Sequence, residues 1–360
     1  MKRYLLLLCV SIMLAGCNAL SSSFLPTNYT ETAFAFVQRP NDLILMGTDG
    51  TVYAEIELDD PNRPAFSPDG SWLAFTDDDG NQLLDLTTGQ TSVVVAGETF
   101  ANVPAWRDDS TQVLWSGTTA GTRIYDLANQ EVIRQAGDTW IPDTDLLVYG
   151  SQRDGLGDLY RTTADGETHR LTFDEVLIYA PDVSSDGRYV TYDIVPSSTD
   201  LPDWAGYVEG SDETLVEVDL NAMFSSSNIS RHDVYVYDLE TDTYEFIVPN
   251  GFSPQWSPDG RYIAYTGRTL FRRDGVENDE MRDVYIIEFE TRELIFVQED
   301  ARTPRWSPDG AQLAFFDMSG RTTITIYDLE TGELTLIETD VTPYEWYLDW
   351  GRLPVTTETE

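Results

Sequence analysis

The chain has 360 residues, 22 of them basic and 63 acidic, for a formal net charge of −41 at pH 7; 41% are hydrophobic and 12% aromatic. That length admits two average domains or one large all-β domain. A field this negative repels nucleic acid and anionic lipid headgroups, and it favours solubility, cations or basic partners.

Residues 1–16 begin with Lys2 and Arg3, run through an apolar stretch from Tyr4 to Leu14 and end in small residues. This is the layout of a secretory signal, with an apolar run too short for an ordinary membrane span. Leu14-Ala15-Gly16-Cys17 resembles the lipobox of bacterial lipoproteins. The resemblance implies cleavage before Cys17, acylation of that cysteine and a membrane anchor on the extracytoplasmic side of a bacterial envelope, periplasmic or on the outer surface. An ordinary cleaved signal ending in Cys is the alternative. Cys9 and Cys17 are the only cysteines, so the mature chain keeps none for a disulfide and must be stabilised by packing. Loss of Lys2, the single lysine, and of Arg3 takes the net charge to −43. Residues 17–31 contain Ser21-Ser22-Ser23 and Pro26 with no apolar period, the composition of a flexible tether.

From Thr32 onward, short runs rich in Val, Ile, Tyr, Phe, Trp and Thr alternate with Gly, Asp, Asn and Pro, which is strand and turn chemistry. No helical period is sustained beyond three turns. Trp256-Ser257-Pro258-Asp259-Gly260 and Trp306-Ser307-Pro308-Asp309-Gly310 repeat in full, and Phe66-Ser67-Pro68-Asp69-Gly70 differs in its aromatic. Weaker copies stand at Trp106, Trp140 and Val183, the last followed by Asp186-Gly187. Spacings between copies run from 34 to 50 residues, except one of 73, which implies an insertion. Four strands fit each unit. In the last complete one they are 303–307, 312–317, 323–328 and 333–338.

Four-stranded units repeated around an axis make a β-propeller. Residues 32–58 supply only the second, third and fourth strands of a unit, and residues 343–350 resemble a lone first strand. The expectation is therefore one domain, 32–350, whose C-terminal strand closes a seven-bladed ring, with 351–360 as a tail. Misreading the unit near Trp140 would make six or eight blades. In the Ser-Pro-Asp-Gly turn, Pro sets φ, Asp bonds back to amides and Gly takes positive φ. The aromatics Phe66, Trp106, Trp140, Trp256 and Trp306 are expected to wedge between blades rather than to serve as ligand platforms.

Ser151-Gln152-Arg153-Asp154-Gly155-Leu156-Gly157-Asp158-Leu159-Tyr160, with His169-Arg170-Leu171-Thr172, is similar to the repeat of the TolB-type propellers, also called WD40-like PD40 repeats. The resemblance covers nearly all of 32–350 and implies the fold; superfolds of this kind host unrelated activities. TolB itself carries an additional N-terminal domain. Only a tether of about a dozen residues precedes the first strand here, so a role in the Tol–Pal system is not expected. Some peptidases carry similar propellers before an α/β-hydrolase domain, but no Gly-x-Ser-x-Gly elbow occurs in this chain.

The two histidines, His169 and His232, are not spaced as metal ligands. Asp77-Asp78-Asp79-Gly80-Asn81 has the flavour of a calcium loop but lacks its later ligands, and a turn between strands is the competing reading. No cofactor is otherwise implied. The repeat is interrupted at 195–230 in blade five and at 267–282 in blade six, both on the face opposite the Ser-Pro-Asp-Gly turns. Candidate binding residues are Trp204 and Tyr207 in the first insertion, His232 at its end, and Arg268, Phe271, Arg272 and Arg273 in the second. The arginines could hold an anionic ligand or partner, or pair with the acidic insertion beside them. The functional expectation is a monomeric, non-catalytic scaffold for an envelope protein or extracellular ligand. The alternative is a propeller-type enzyme acting on carbohydrate or peptide.

Overall fold

Short strands of this kind can satisfy their backbone only by pairing with one another, and they do so in seven antiparallel four-stranded sheets arranged as a propeller ring. The computed structural model describes residues 24–26, 29–38, 42–98, 102–116, 122–151, 157–162, 166–173, 176–196, 232–273, 276–319, 322–338, 343 and 347–354. Blade one is composite. Thr32–Gln38, Asp42–Gly47 and Val52–Glu57 are joined by Leu348–Arg352, which pairs with the first of them so that Thr32 faces Arg352 and Phe36 faces Leu348. The closing strand thus includes Gly351 and Arg352, residues the sequence places in a tail. Blades two to seven follow in order, with inner strands Asn62–Phe66, Ala105–Trp106, Thr139–Trp140, Leu177–Val183, Gly251–Trp256 and Ala301–Trp306. The unit at Trp140 is a full blade, which settles the count at seven.

Burial follows from stacking blades face to face. Second strands are covered on both sides, so Trp72–Asp77 and Gln312–Asp317 carry consecutive apolar residues instead of an alternation. Outer strands such as Val52–Glu57 have one wet face and alternate. The core is accordingly seven wedges, one between each pair of neighbouring blades. The repeated aromatics sit in these wedges. Trp256 meets Tyr189 of blade five and Phe289 of its own blade, with centroids 6.0 and 4.8 Å away, and the Trp306 indole donates to the Gln255 carbonyl of blade six at 3.3 Å.

The Ser-Pro-Asp-Gly turn is a closed circuit of hydrogen bonds. In blade two, Ser67 Oγ donates to Asp69 Oδ1 (2.7 Å) and accepts the Trp72 amide (2.9 Å), while Asp69 Oδ1 also accepts the Ser71 amide (2.9 Å). The same circuit recurs through Ser184 and Asp186, Ser257 and Asp259, and Ser307 and Asp309. Gly70, Gly187, Gly260 and Gly310 all stand at φ of 72–73°. In the degenerate third copy Ser110 takes that left-handed position at 59°.

The Asp77–Asn81 stretch is a hairpin turn. Asp77 Oδ1 accepts the Asp79 and Gly80 amides at 2.9 and 3.2 Å, and Oδ2 accepts the Gln82 side-chain amide. Part of the expected tether is also seated on the ring. Leu25 is only 4% exposed and packs with Phe66, Leu86 and Leu353, because apolar Phe24 and Leu25 cover the open end of the wedge between blades one and two.

Candidate functional site

The insertion in blade six is a protruding ribbon rather than a loop. The second and third strands of that blade, Tyr262–Arg273 and Val276–Glu288, have 12 and 13 residues, against six for their counterparts in blade seven. Their pairing continues from Gly267 opposite Asp283 to Arg273 opposite Val276, roughly 20 Å beyond the ring. Asp274-Gly275 between them is the dipeptide that favours a two-residue hairpin, the signal by which the sequence could have shown it. Arg268 lies opposite Arg282 and Phe271 opposite Asp279 in this register, with Arg272 at the irregularity between Phe271 and Arg273. Trp204 and Tyr207 lie outside the described residues.

At the foot of the ribbon, four elements converge on His232. Its Nδ1 lies 2.6 Å from Asp193 Oδ2, while Asp193 Oδ1 accepts the Ser253 amide at 3.0 Å. The imidazole is flanked by Tyr179 and Phe252, with centroids 5.4 and 6.2 Å away, and the Arg282 guanidinium covers Phe252 at 5.3 Å. The Asp193 side chain is 2% exposed and that of His232 19%. A buried carboxylate holding Nδ1 fixes the ring orientation and leaves Nε2 as the nitrogen available to a ligand. Asp193, Tyr179, Phe252 and Arg282 were not legible as partners, because they come from different strands and carry no shared motif. His169 stands exposed on the outer strand Thr168–Arg170 of blade four, away from this cluster.

A second feature circles the axis. The residue before each inner-strand aromatic, or its Val183 counterpart, occupies one equivalent register position: Asp349, Ala65, Ala105, Thr139, Asp182, Gln255 and Arg305 for blades one to seven. The charged and amide members, Asp182, Gln255, Arg305 and Asp349, form one continuous arc, from blade five through six and seven to blade one. Asp182 Oδ2 accepts the Trp256 amide at 2.7 Å and Asp349 Oδ2 accepts the Phe66 amide at 2.8 Å, each tying its blade to the next. Arg305 stands between them, its Nε 3.9 Å from Asp349 Oδ1. Burial pushes the Asp182 carboxyl up to about 6 despite the two amides and Arg305 that favour its charge. Burial likewise raises Asp349, against the pull of Arg305, and it lowers Arg305. The Arg305 and Asp349 side chains keep 18% and 23% exposure, so the arc is crowded by protein yet open to solvent near the axis.

The inner strands reach this geometry through β-bulges. Arg63, Ala180, Ser253 and Thr303 each precede a proline and stand at φ of 45–57°, and the register slips at each of them. Such bulges re-aim the side chains beside them. Among the described residues, no three His, Cys, Asp or Glu side chains converge as a metal centre requires.

No protein-family model and no curated protein sequence matches this chain. Solved structures do. TolB from Acinetobacter baumannii aligns with a TM-score of 0.52 at 14% identity, over 91% of this chain and 68% of that one. The Swd1 β-propeller domain of Myceliophteria thermophila aligns at 0.53 and 12%, over 82% and 90%. This chain has the TolB-like, WD40-like propeller fold. Oligogalacturonate lyase from Vibrio parahaemolyticus shares it as well, with a TM-score of 0.55 at 13% identity over 85% and 89% of the two chains. Identities this low speak to fold alone, and a fold of this kind carries no single activity with it.

Proposed function

We propose that this propeller is a lipid-anchored, extracytoplasmic binding scaffold without catalysis of its own, and that it captures its partner through the face carrying the blade-five connection and the blade-six ribbon. The observation that carries the reading is the ribbon itself. Two strands about twice the length of their blade-seven counterparts continue their pairing past the ring, which leaves a β-edge there, and their sequence carries Arg268, Arg272 and Arg273 in a chain otherwise short of positive charge. The lipobox-like Leu14–Cys17, outside the described residues, supports the anchor. The His232, Tyr179, Phe252 and Arg282 group at the ribbon foot supplies aromatic and cationic contacts suited to a protein hot spot.

The test is a ribbon deletion that joins Thr269 to its register partner Met281 through Asn-Gly, a two-residue turn that fits the strand register. The variant should melt as the parent does and lose crosslinked partner recovered from envelopes by the intact chain. Equal recovery sinks the assignment of that face. Metabolic labelling with a fatty acid should mark the parent and leave Cys17→Ser unlabelled.

A propeller-type enzyme is the second reading, favoured by the Asp182, Arg305 and Asp349 arc and by the orientation of His232 on Asp193. Turnover of an acidic polysaccharide or a peptide by the purified chain, abolished by Arg305→Gln or His232→Ala, would establish it over the scaffold.

A further inference from the structure

The way the N-terminal segment seats on the ring determines which face a lipid at Cys17 would turn toward the bilayer. Phe24 lies against the turn between the third and fourth strands of blade two, so close that a Cβ at Gly89 would stand 2.3 Å from its ring. Leu25 fills the wedge between blades one and two beside Leu86 and Leu353. Tyr29 donates its hydroxyl to the Pro354 carbonyl, the Leu353 amide donates to the Glu31 carbonyl at 2.9 Å, and the Thr30 amide donates to Tyr53 Oη at 2.9 Å. Every one of these contacts is on the face of the Ser-Pro-Asp-Gly turns, at the seam where the first and last strands meet. The Leu86 amide donates to the Ser71 carbonyl, which places Leu86 beside the first turn of blade two. The blade-six ribbon leaves from the opposite face and from a distant blade.

We infer that the Ser-Pro-Asp-Gly face at blades one and two is the surface turned toward the membrane, and that the blade-six ribbon and the His232 cluster point away from it. The inference rests on the anchored reading proposed above. Cys17 and Phe24 are seven positions apart, and fully extended those seven steps span at most about 25 Å. A six-residue strand already covers about 20 Å of the ring's thickness. A tether leaving from the seam could therefore reach the opposite rim of blades one and two only with nothing to spare. It could not lay blades five and six against lipid while Phe24 and Leu25 stay seated.

Charge decides how closely the face approaches. Its turns carry Asp69, Asp85, Asp309 and Asp328, each bonded by neighbouring hydroxyls or amides and held below the ordinary carboxylate range. These groups stay negative at any physiological pH and repel anionic headgroups. The ring stands off on its tether, held by the acyl chain rather than by headgroup contact, with the ribbon presented to what lies beyond the membrane.

The test uses the acylated full chain on phosphatidylcholine vesicles with acceptor-labelled headgroups. A donor dye is placed on Thr88→Cys, on the seam-side turn of blade two, or on Asp78→Cys, on the opposite turn of the same blade. Both positions are exposed, and acylation of Cys17 leaves the introduced cysteine as the one free thiol. Energy transfer should be roughly twofold or more stronger from Thr88→Cys, given the strand of about 20 Å between the sites. Adding Leu25→Ala and Tyr29→Phe should unseat the segment and bring the two signals together while the melting transition persists. Equal or reversed transfer in the parent, with protein floating on the vesicles, overturns the orientation and leaves the anchor standing. Protein that does not float overturns the anchor, and the orientation with it.

Discussion

Replacing Asp182 by Asn should stabilise the ring at neutral pH and do nothing at low pH. In the folded chain the Asp182 carboxyl titrates at about 6, against an ordinary 3.8, because burial beside the axis penalises its charge more than the Trp256 and Val183 amides and Arg305 reward it. The folded state therefore holds a proton that the unfolded chain has already released. A group raised in this way contributes its full stability below about 3.8 and loses it as pH rises through 6. The gap between those values corresponds to about 3 kcal/mol, an upper figure since water reaches the axis. Asn keeps an oxygen for the Trp256 amide and cannot ionise, so it mimics the protonated form at every pH. Urea unfolding of parent and D182N at pH 3.5 to 8 should give curves that coincide at the acid end and diverge through pH 4–6, with the variant ahead by up to about 3 kcal/mol at pH 7. A constant offset across pH, or a variant less stable at pH 7, would refute burial as the dominant influence on this group.

Substitutions at four further positions probe the ring. Gly332 stands at φ 71° with open space around it, so Gly332→Ala should cost about 1–2 kcal/mol of left-handed strain in a urea titration. Gly70→Ala should cost more, because its Cβ would also meet the Arg352 carbonyl oxygen at 2.8 Å across the closing seam. Trp350, packed 4.9 Å from Phe34 in the closing wedge, should cost about 3–5 kcal/mol as Trp350→Ala. Trp350→Phe should cost much less, since it also removes an indole N–H that has no acceptor. Asp158, 1% exposed, accepts Thr172 Oγ1 at 2.9 Å and the Arg170 guanidinium. Asp158→Ala should lower stability by roughly 1–3 kcal/mol and loosen blade four first, seen as faster amide exchange at Leu159 and Leu171.

Much of the architecture was legible because a repeat states its own boundaries. The last blade shows its second and third strands at 312–317 and 323–328, as its sequence predicts. Ring closure was legible too, from a unit that lacks a first strand at one end and a first strand that lacks a unit at the other. The site was less so. Seven-residue strands and hairpin extensions use the same residue types, so 267–282 read as a loop although its pairing never stops. His232 was visible as an isolated histidine; Asp193, 39 positions away, became its partner only through the alignment of blade five's strands.

What the sequence determined by itself is the unit and its turns, since those depend on contacts within a few residues: Ser67 with Asp69, Asp309 with Ala311. What only the tertiary structure decided is what meets across the ring. A residue before proline ordinarily avoids left-handed backbone, so nothing in Ala180-Pro181 or Thr303-Pro304 announces the bulges of the inner strands. Ala65, Ala105 and Thr139 occupy the same register position as Asp182, Arg305 and Asp349. The repeat therefore folds with either set, and the charged arc comes into being only when the closing strand carries Asp349 in beside Arg305.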